Sequence, residues 1–218
     1  MVLLVDDLRY FDGKWSVWDA GHKDSAEISF EQSGFQISPL VLLVGNHPNL
    51  SPVFNRIICS NLKNLQLSKI TIPFSDYKKL TENKISCLYL DDVIVNDENG
   101  IKVEIDKLWK EVKNVEDLTH VFADNESMHK IAQKLVKLAP FPNLEILNLE
   151  NIQDGFDLQA FYQFLIKNTS ASCTLKCSGK SLKQMEDIQK ETPKLPTRSF
   201  GISGVQYTER HFRIVGYQ

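Results

Sequence analysis

No apolar run in this 218-residue chain approaches the ~18 residues that a membrane-spanning helix needs. The opening Met1-Val2-Leu3-Leu4-Val5-Asp6-Asp7 has too short an apolar part, and no basic flank, for a secretion leader. Together these absences lead to the expectation of a cytoplasmic or nuclear protein that does not engage a membrane. Cysteine is scarce: the four, Cys59, Cys87, Cys173 and Cys177, form no C-x-x-C pair, and no histidines stand at zinc-ligand spacing. A structural metal is therefore not expected, and the thiols read as reduced and buried. On the same expectation the Asn-x-Ser triplets at Asn49, Asn125 and Asn168 are chance matches. A strong charge of one sign is missing too. The net charge is −3 with Lys and Arg scattered, whereas a general nucleic-acid binder gathers positive charge on one face.

The signatures of catalysis are also missing. There is no G-x-x-x-x-G-K-[ST] loop, no G-x-S-x-G elbow and no H-E-x-x-H helix. The histidines at 22, 47, 120, 129 and 211 are dispersed. Asp97-Glu98-Asn99-Gly100 resembles half of a calcium loop but lacks the D-x-D-x-D spacing and the closing Glu, so it reads as a turn after a strand. Catalysis needs a nucleophile, a base and a stabiliser that converge, or a metal in their place. No such set is apparent, and the expectation is a protein that is not an enzyme and carries neither cofactor nor metal.

What the chain does contain is a repeat. Leu62-x-x-Leu65-x-Leu67-x-x-Ile70, Ile85-x-x-Leu88-x-Leu90-x-x-Val93 and Leu144-x-x-Leu147-x-Leu149-x-x-Ile152 share one pattern. Weaker copies lie at Val115-x-x-Leu118-x-His120 and Ser172-x-x-Leu175-x-Cys177. The central leucines at 65, 88, 118, 147 and 175 step by 23, 30, 29 and 28, at or just above the long end of a leucine-rich repeat. A strand's period of two explains the pattern: Leu65 and Leu67 point to the core while Asn64, Gln66 and Ser68 point away. His120 stands where a core leucine is expected, as a buried histidine with a backbone partner or as the mark of a distorted repeat, and the second reading is preferred.

Each step leaves room for a return helix. Ser75 is placed to cap one that carries Leu80. Ile105, Leu108, Trp109 and Val112 recur at i, i+3, i+4, i+7. Met128, Ile131, Leu135 and Leu138 form a stripe ended by Pro140. Asp157 caps a helix with Leu158, Phe161 and Leu165, and Ser181 caps another with Leu182 and Met185, ahead of Pro193. The expected fold class is α/β: a leucine-rich-repeat-like curved array with parallel strands inside and helices outside, over residues 53–218. Residues 1–52 form a separate segment. In it Leu8–Phe11 and Lys14–Trp18 flank Asp12-Gly13 as a β-hairpin, Glu27–Phe30 adds a strand, and the turn-rich 45–52 is a linker. Ser199–Ser203 reads as a last strand and Thr208–Arg213 as the closing cap.

Several stretches together resemble the C-terminal, leucine-rich-repeat-like part of the nematode-expanded F-box-type proteins. They are Cys59-Ser60-Asn61-Leu62, Tyr77-Lys78-Lys79-Leu80-Thr81-Glu82, Ile85–Leu90, Asp97–Gly100, Ile105–Leu108, Lys134-Leu135-Val136, Phe156–Phe161 and Ser199–Ile202. The resemblance runs from about Arg56 onward, roughly three quarters of the chain. It implies substrate reception for cullin-type ubiquitin ligases, in which an F-box docks a Skp-type adaptor and the repeats hold a target. Residues 1–52 show no leucine–proline-led F-box helices, so nothing in them is expected to dock that adaptor.

The expected function is thus a non-enzymatic protein-binding scaffold whose inner strand face, made of the side chains that point away from the core, holds a protein target. Tyr89, its only aromatic, leads the candidate contacts, with Asp91, Asn148, Glu150 and Lys176. Two alternatives stand beside it. One is a small-molecule enzyme or carrier with a pocket at the hairpin–repeat junction lined by Trp15, Trp18 and His22. The other is a degenerate paralogue without function.

Overall fold

The computed structural model describes residues 2–18, 25–30, 36–47, 51–124, 126–168 and 171–177, together with the backbone of three short strands near the C-terminus. By contacts the chain divides into two compact units, Met1–Val115 and Glu116–Gln218. Both are α/β, with parallel strands joined through helices. No helix among the described residues is long and apolar enough to cross a membrane.

The first unit opens with β1 (Val2–Phe11) and β2 (Lys14–Trp18), an antiparallel pair. Asp12 and Gly13 connect them, both at positive φ (50° and 81°), which is what a two-residue primed turn demands and what glycine adopts without a steric cost. Next come β3 (Ala26–Ile28), β4 (Gln36–Gly45), the short α1 (Ser51–Phe54), β5 (Asn64–Ser68), β6 (Thr71–Pro73) and α2 (Phe74–Thr81). β7 (Cys87–Asp91), β8 (Ile94–Asn96) and α3 (Ile105–Glu111) complete the unit. Its main sheet runs β7-β5-β4-β1-β2-β3, with parallel pairing from β7 to β1.

β4 was not expected. Leu40-Val41-Leu42-Leu43-Val44 is a continuous apolar run without alternation, as a strand paired on both edges shows. Pro39 stands ahead of Val41, where pairing with β5 begins, so its missing N–H interrupts no β4–β5 ladder bond. β4 therefore joins residues assigned to the N-terminal segment directly to the first repeat strand. The contact boundary lies between Val115 and Glu116, within the expected repeat domain of 53–218.

The second unit holds β9 (Asp117–Val121), α4 (Ile131–Leu138), β10 (Ile146–Ile152), α5 (Leu158–Lys167), β11 (Ser172–Cys177), β12 (Phe200–Ile202), β13 (Val205–Tyr207) and β14 (Phe212–Gly216). Its sheet is β14-β11-β10-β9, all parallel, and β12 and β13 form an antiparallel pair. The helix expected after Ser181 lies outside the described residues.

Register holds both cores together. Leu42, Leu65 and Leu88 sit side by side, as do Val44, Leu67 and Leu90, each at most 2% exposed. In the second unit Leu118, Leu147 and Cys173 form such a row. The next row is His120, Leu149 and Leu175. The expected distortion at His120 is not found: β9 pairs regularly with β10, and the buried imidazole lies 4.7 Å from the Phe122 ring. A histidine can occupy this core position because its flat ring packs as an aromatic does.

The helices cover these rows. Ile105, Leu108 and Trp109 of α3 are buried, and the Tyr77 hydroxyl of α2 donates to the Leu108 carbonyl at 3.2 Å. Ser75 does not cap α2. The cap position is Pro73, without a side-chain bond, and Asp76 supplies the negative charge that a first turn favours. Met128 is buried just ahead of α4 rather than within it. Asp157 caps α5 as expected, accepting from the Ala160 N–H at 2.9 Å. Asn168 has a use its sequon did not suggest. It is 3% exposed, accepts from the Phe141 N–H, and donates to the Phe164 carbonyl at 2.8 Å, tying the end of α5 to the loop before β10.

The two faces of β5 make opposite predictions. Leu65→Ala removes a fully buried side chain and should cost about 3 kcal/mol of unfolding free energy in urea titrations. Gln66→Ala, one residue on and exposed, should stay within about 0.5 kcal/mol of the parent. Equal losses at the two positions would contradict the register.

Candidate functional site

The five residues expected on the outward strand face occupy both units. Tyr89 and Asp91 lie on β7 of the first, with Gln66 and Ser68 of β5 beside them in register. Asp91 accepts from the Ser68 hydroxyl at 2.7 Å. Asn148, Glu150 and Lys176 share one face of the second unit's sheet. Asn148 donates to the Thr119 hydroxyl at 3.1 Å, and the Lys176 ammonium is ion-paired with Glu150. All five are half-buried, and these rows present hydrogen-bonding side chains and one ion pair.

Burial raises the pKa of three of the four thiols. Burial is the main cause that pushes Cys59 up to about 11, with the Glu82 carboxylate adding to it. Burial also pushes Cys177 to about 11 and raises Cys173 further. A thiol in this range is almost wholly protonated at neutral pH, and the thiolate is the nucleophile. Asp97 closes the expected turn by accepting from the Asn99 and Ile101 N–H groups, each at 2.9 Å. No cluster of three or more metal-binding side chains occurs among the described residues.

The first unit also contains a concave site. Tyr10 and Trp15 face each other across the β1–β2 hairpin, their ring centroids 5.1 Å apart. Phe30, just past β3, meets Trp15 edge-on at 5.1 Å. His47, at the end of β4, lies 4.2 Å from Tyr10 and 5.6 Å from Trp15. These four rings wall a cavity of about 590 Å³, within the ~300–1,000 Å³ usual for small-molecule sites. Arg56, in the turn after α1, closes another side. Its backbone is fixed, with its N–H on the Val53 carbonyl and its carbonyl accepting from the Ile37 N–H, both at 2.8 Å. Its Nη1 is buried with no hydrogen-bond partner among the described residues. At the mouth, Lys14 and Glu27 pair at 2.9 Å and stay mostly exposed.

Of the residues expected in a junction pocket, Trp15 lines this cavity. Trp18 does not; the Arg9 guanidinium lies over its ring at 4.8 Å. His22 lies outside the described residues. Tyr10, Phe30, His47 and Arg56 were missed. Arg56 alone left a trace, as a single charge within Pro52-Val53-Phe54-Asn55-Arg56-Ile57-Ile58.

Comparison with protein-family models, with curated proteins and with solved structures finds no match.

Burial disfavours the charged imidazole of His47 and lowers its pKa from 6.5. The unfolded chain therefore takes up the proton first as pH falls, and the folded state loses stability below about pH 6.5. Stability measured by urea unfolding should drop more between pH 7.5 and 5 for the parent than for His47→Gln. Equal drops would remove His47 from the acid response.

Proposed function

We propose that this chain is a non-enzymatic protein-binding scaffold, a leucine-rich-repeat-like array whose outward strand faces hold a protein partner. The observation that carries this reading is the strand register. Leucines occupy the buried rows, and that leaves Gln66 beside Tyr89 and Thr119 beside Asn148 on the opposite face. A face built on paired strands is stiff, and it presents its side chains at small entropic cost on binding. Half-buried polar groups bonded to the neighbouring strand, as in Ser68–Asp91 and Thr119–Asn148, give such a face fixed hydrogen-bond positions. Tyr89 supplies the aromatic anchor that interface hot spots favour.

A narrower form of the proposal is substrate reception for a cullin-type ubiquitin ligase. The resemblance of residues from about 56 onward to the F-box-type family supports it. Affinity capture of the tagged chain from native extract, with mass spectrometry, tests this form. Recovery of a Skp-type adaptor with cullin supports it, and recovery of other proteins alone leaves a scaffold outside the ligase. Once a partner is identified, Tyr89→Ala should weaken its binding by more than about 1 kcal/mol without changing the unfolding midpoint. Unchanged affinity would discard this face.

A further inference from the structure

We propose that the cavity of the first unit is a binding site for a small anion that carries a flat ring, an aryl carboxylate or aryl phosphate. This goes beyond the scaffold reading and is independent of it. Three observations converge. The volume, about 590 Å³, suits one or two fused rings with a polar substituent. The walls are the rings of Tyr10, Trp15, Phe30 and His47 at tilted or edge-on angles, the arrangement that accepts another aromatic. The third is charge. Lys14 and Glu27 cancel at the mouth, and among the described residues Arg56 has neither an ion-pair nor a side-chain hydrogen-bond partner.

The charge decides between two ligand classes. Rings alone would equally suit a quaternary ammonium held by cation–π attraction. Among the described lining residues, however, Lys14 and Arg56 stand against Glu27, one positive charge in excess, while His47 is favoured in its neutral form. A cation is therefore repelled and an anion attracted. A guanidinium presents a planar fork that fits carboxylate and phosphate oxygens in pairs, which matches either headgroup. The position of Arg56 serves this purpose better than it serves the fold. A half-buried charge without a partner raises the energy of the folded state, so an apolar side chain of similar length should be tolerated.

Calorimetric titration of the full chain with three probes of one ring size tests the proposal: 2-naphthoate, 2-naphthyl phosphate and 2-naphthyl-trimethylammonium. Saturable binding of at least one anion, at least tenfold tighter than the cation, is expected, and the tighter anion identifies the headgroup. Arg56→Met should weaken the anion at least tenfold while leaving the unfolding midpoint unchanged or higher. Ser29→Trp, at an exposed lining position, should block binding without touching the guanidinium. Absence of saturable binding by both anions, equal or tighter binding of the cation, or unaltered affinity in a folded Arg56→Met would overturn the proposal. Should Arg56→Met fail to fold, Ser29→Trp decides: unaltered anion affinity there would place the binding elsewhere.

Discussion

Parallel strands in register carry everything else in this protein. A strand alternates its side chains, so a slip of one residue would bring Gln66 and Tyr89 into the core and expose Leu65 and Leu88. The leucine rows exclude that. Leu42, Leu65 and Leu88 share one level of the first unit and Leu118, Leu147 and Cys173 one level of the second. A residue in the row must be apolar or flat enough to pack against its two neighbours. Cys173 and His120 meet that condition, and the strands there stay regular despite the departure from leucine. Parallel pairing in turn requires a crossover, and α2 in the first unit and α4 and α5 in the second serve as return elements.

The same alternation leaves polar side chains on the other face, where they pair with the next strand. Ser68 with Asp91, Thr119 with Asn148 and Glu150 with Lys176 each join neighbouring strands. Such pairs fix rotamers on a stiff backbone. These contacts hold the polar side chains of each unit in defined positions along the strands.

The cavity sits where repetition stops. The hairpin contributes Tyr10, Lys14 and Trp15, the stretch from β3 contributes Glu27 and Phe30, and His47 and Arg56 come from beyond β4 and α1; no repeat pattern governs them. Because several elements converge, rings from distant positions in the chain can wall one space. Backbone bonds to Val53 and Ile37 place Arg56 at that wall, where it has no counter-ion among the described residues.

Local pattern determined much of this. The repeat strands at Leu65, Leu88, Leu118, Leu147 and Leu175, the Asp12-Gly13 hairpin, the Asp157 cap and the α3 stripe are set by residues within a few positions of one another. Period and turn chemistry act over that range, so they were legible in the sequence. Tertiary structure alone decided the rest. β4 is recognisable as a strand only when both of its edges are paired, since a continuous apolar run does not distinguish strand from helix. Asn168 became a core tether and His120 a core side chain because neighbours from other elements closed over them. The ring of Tyr10, Trp15, Phe30 and His47 about Arg56 unites residues up to 46 positions apart, from Tyr10 to Arg56. No local signal spans that distance. The sheet alone brings β1, β2, β3 and β4 side by side, and with them the walls of the site.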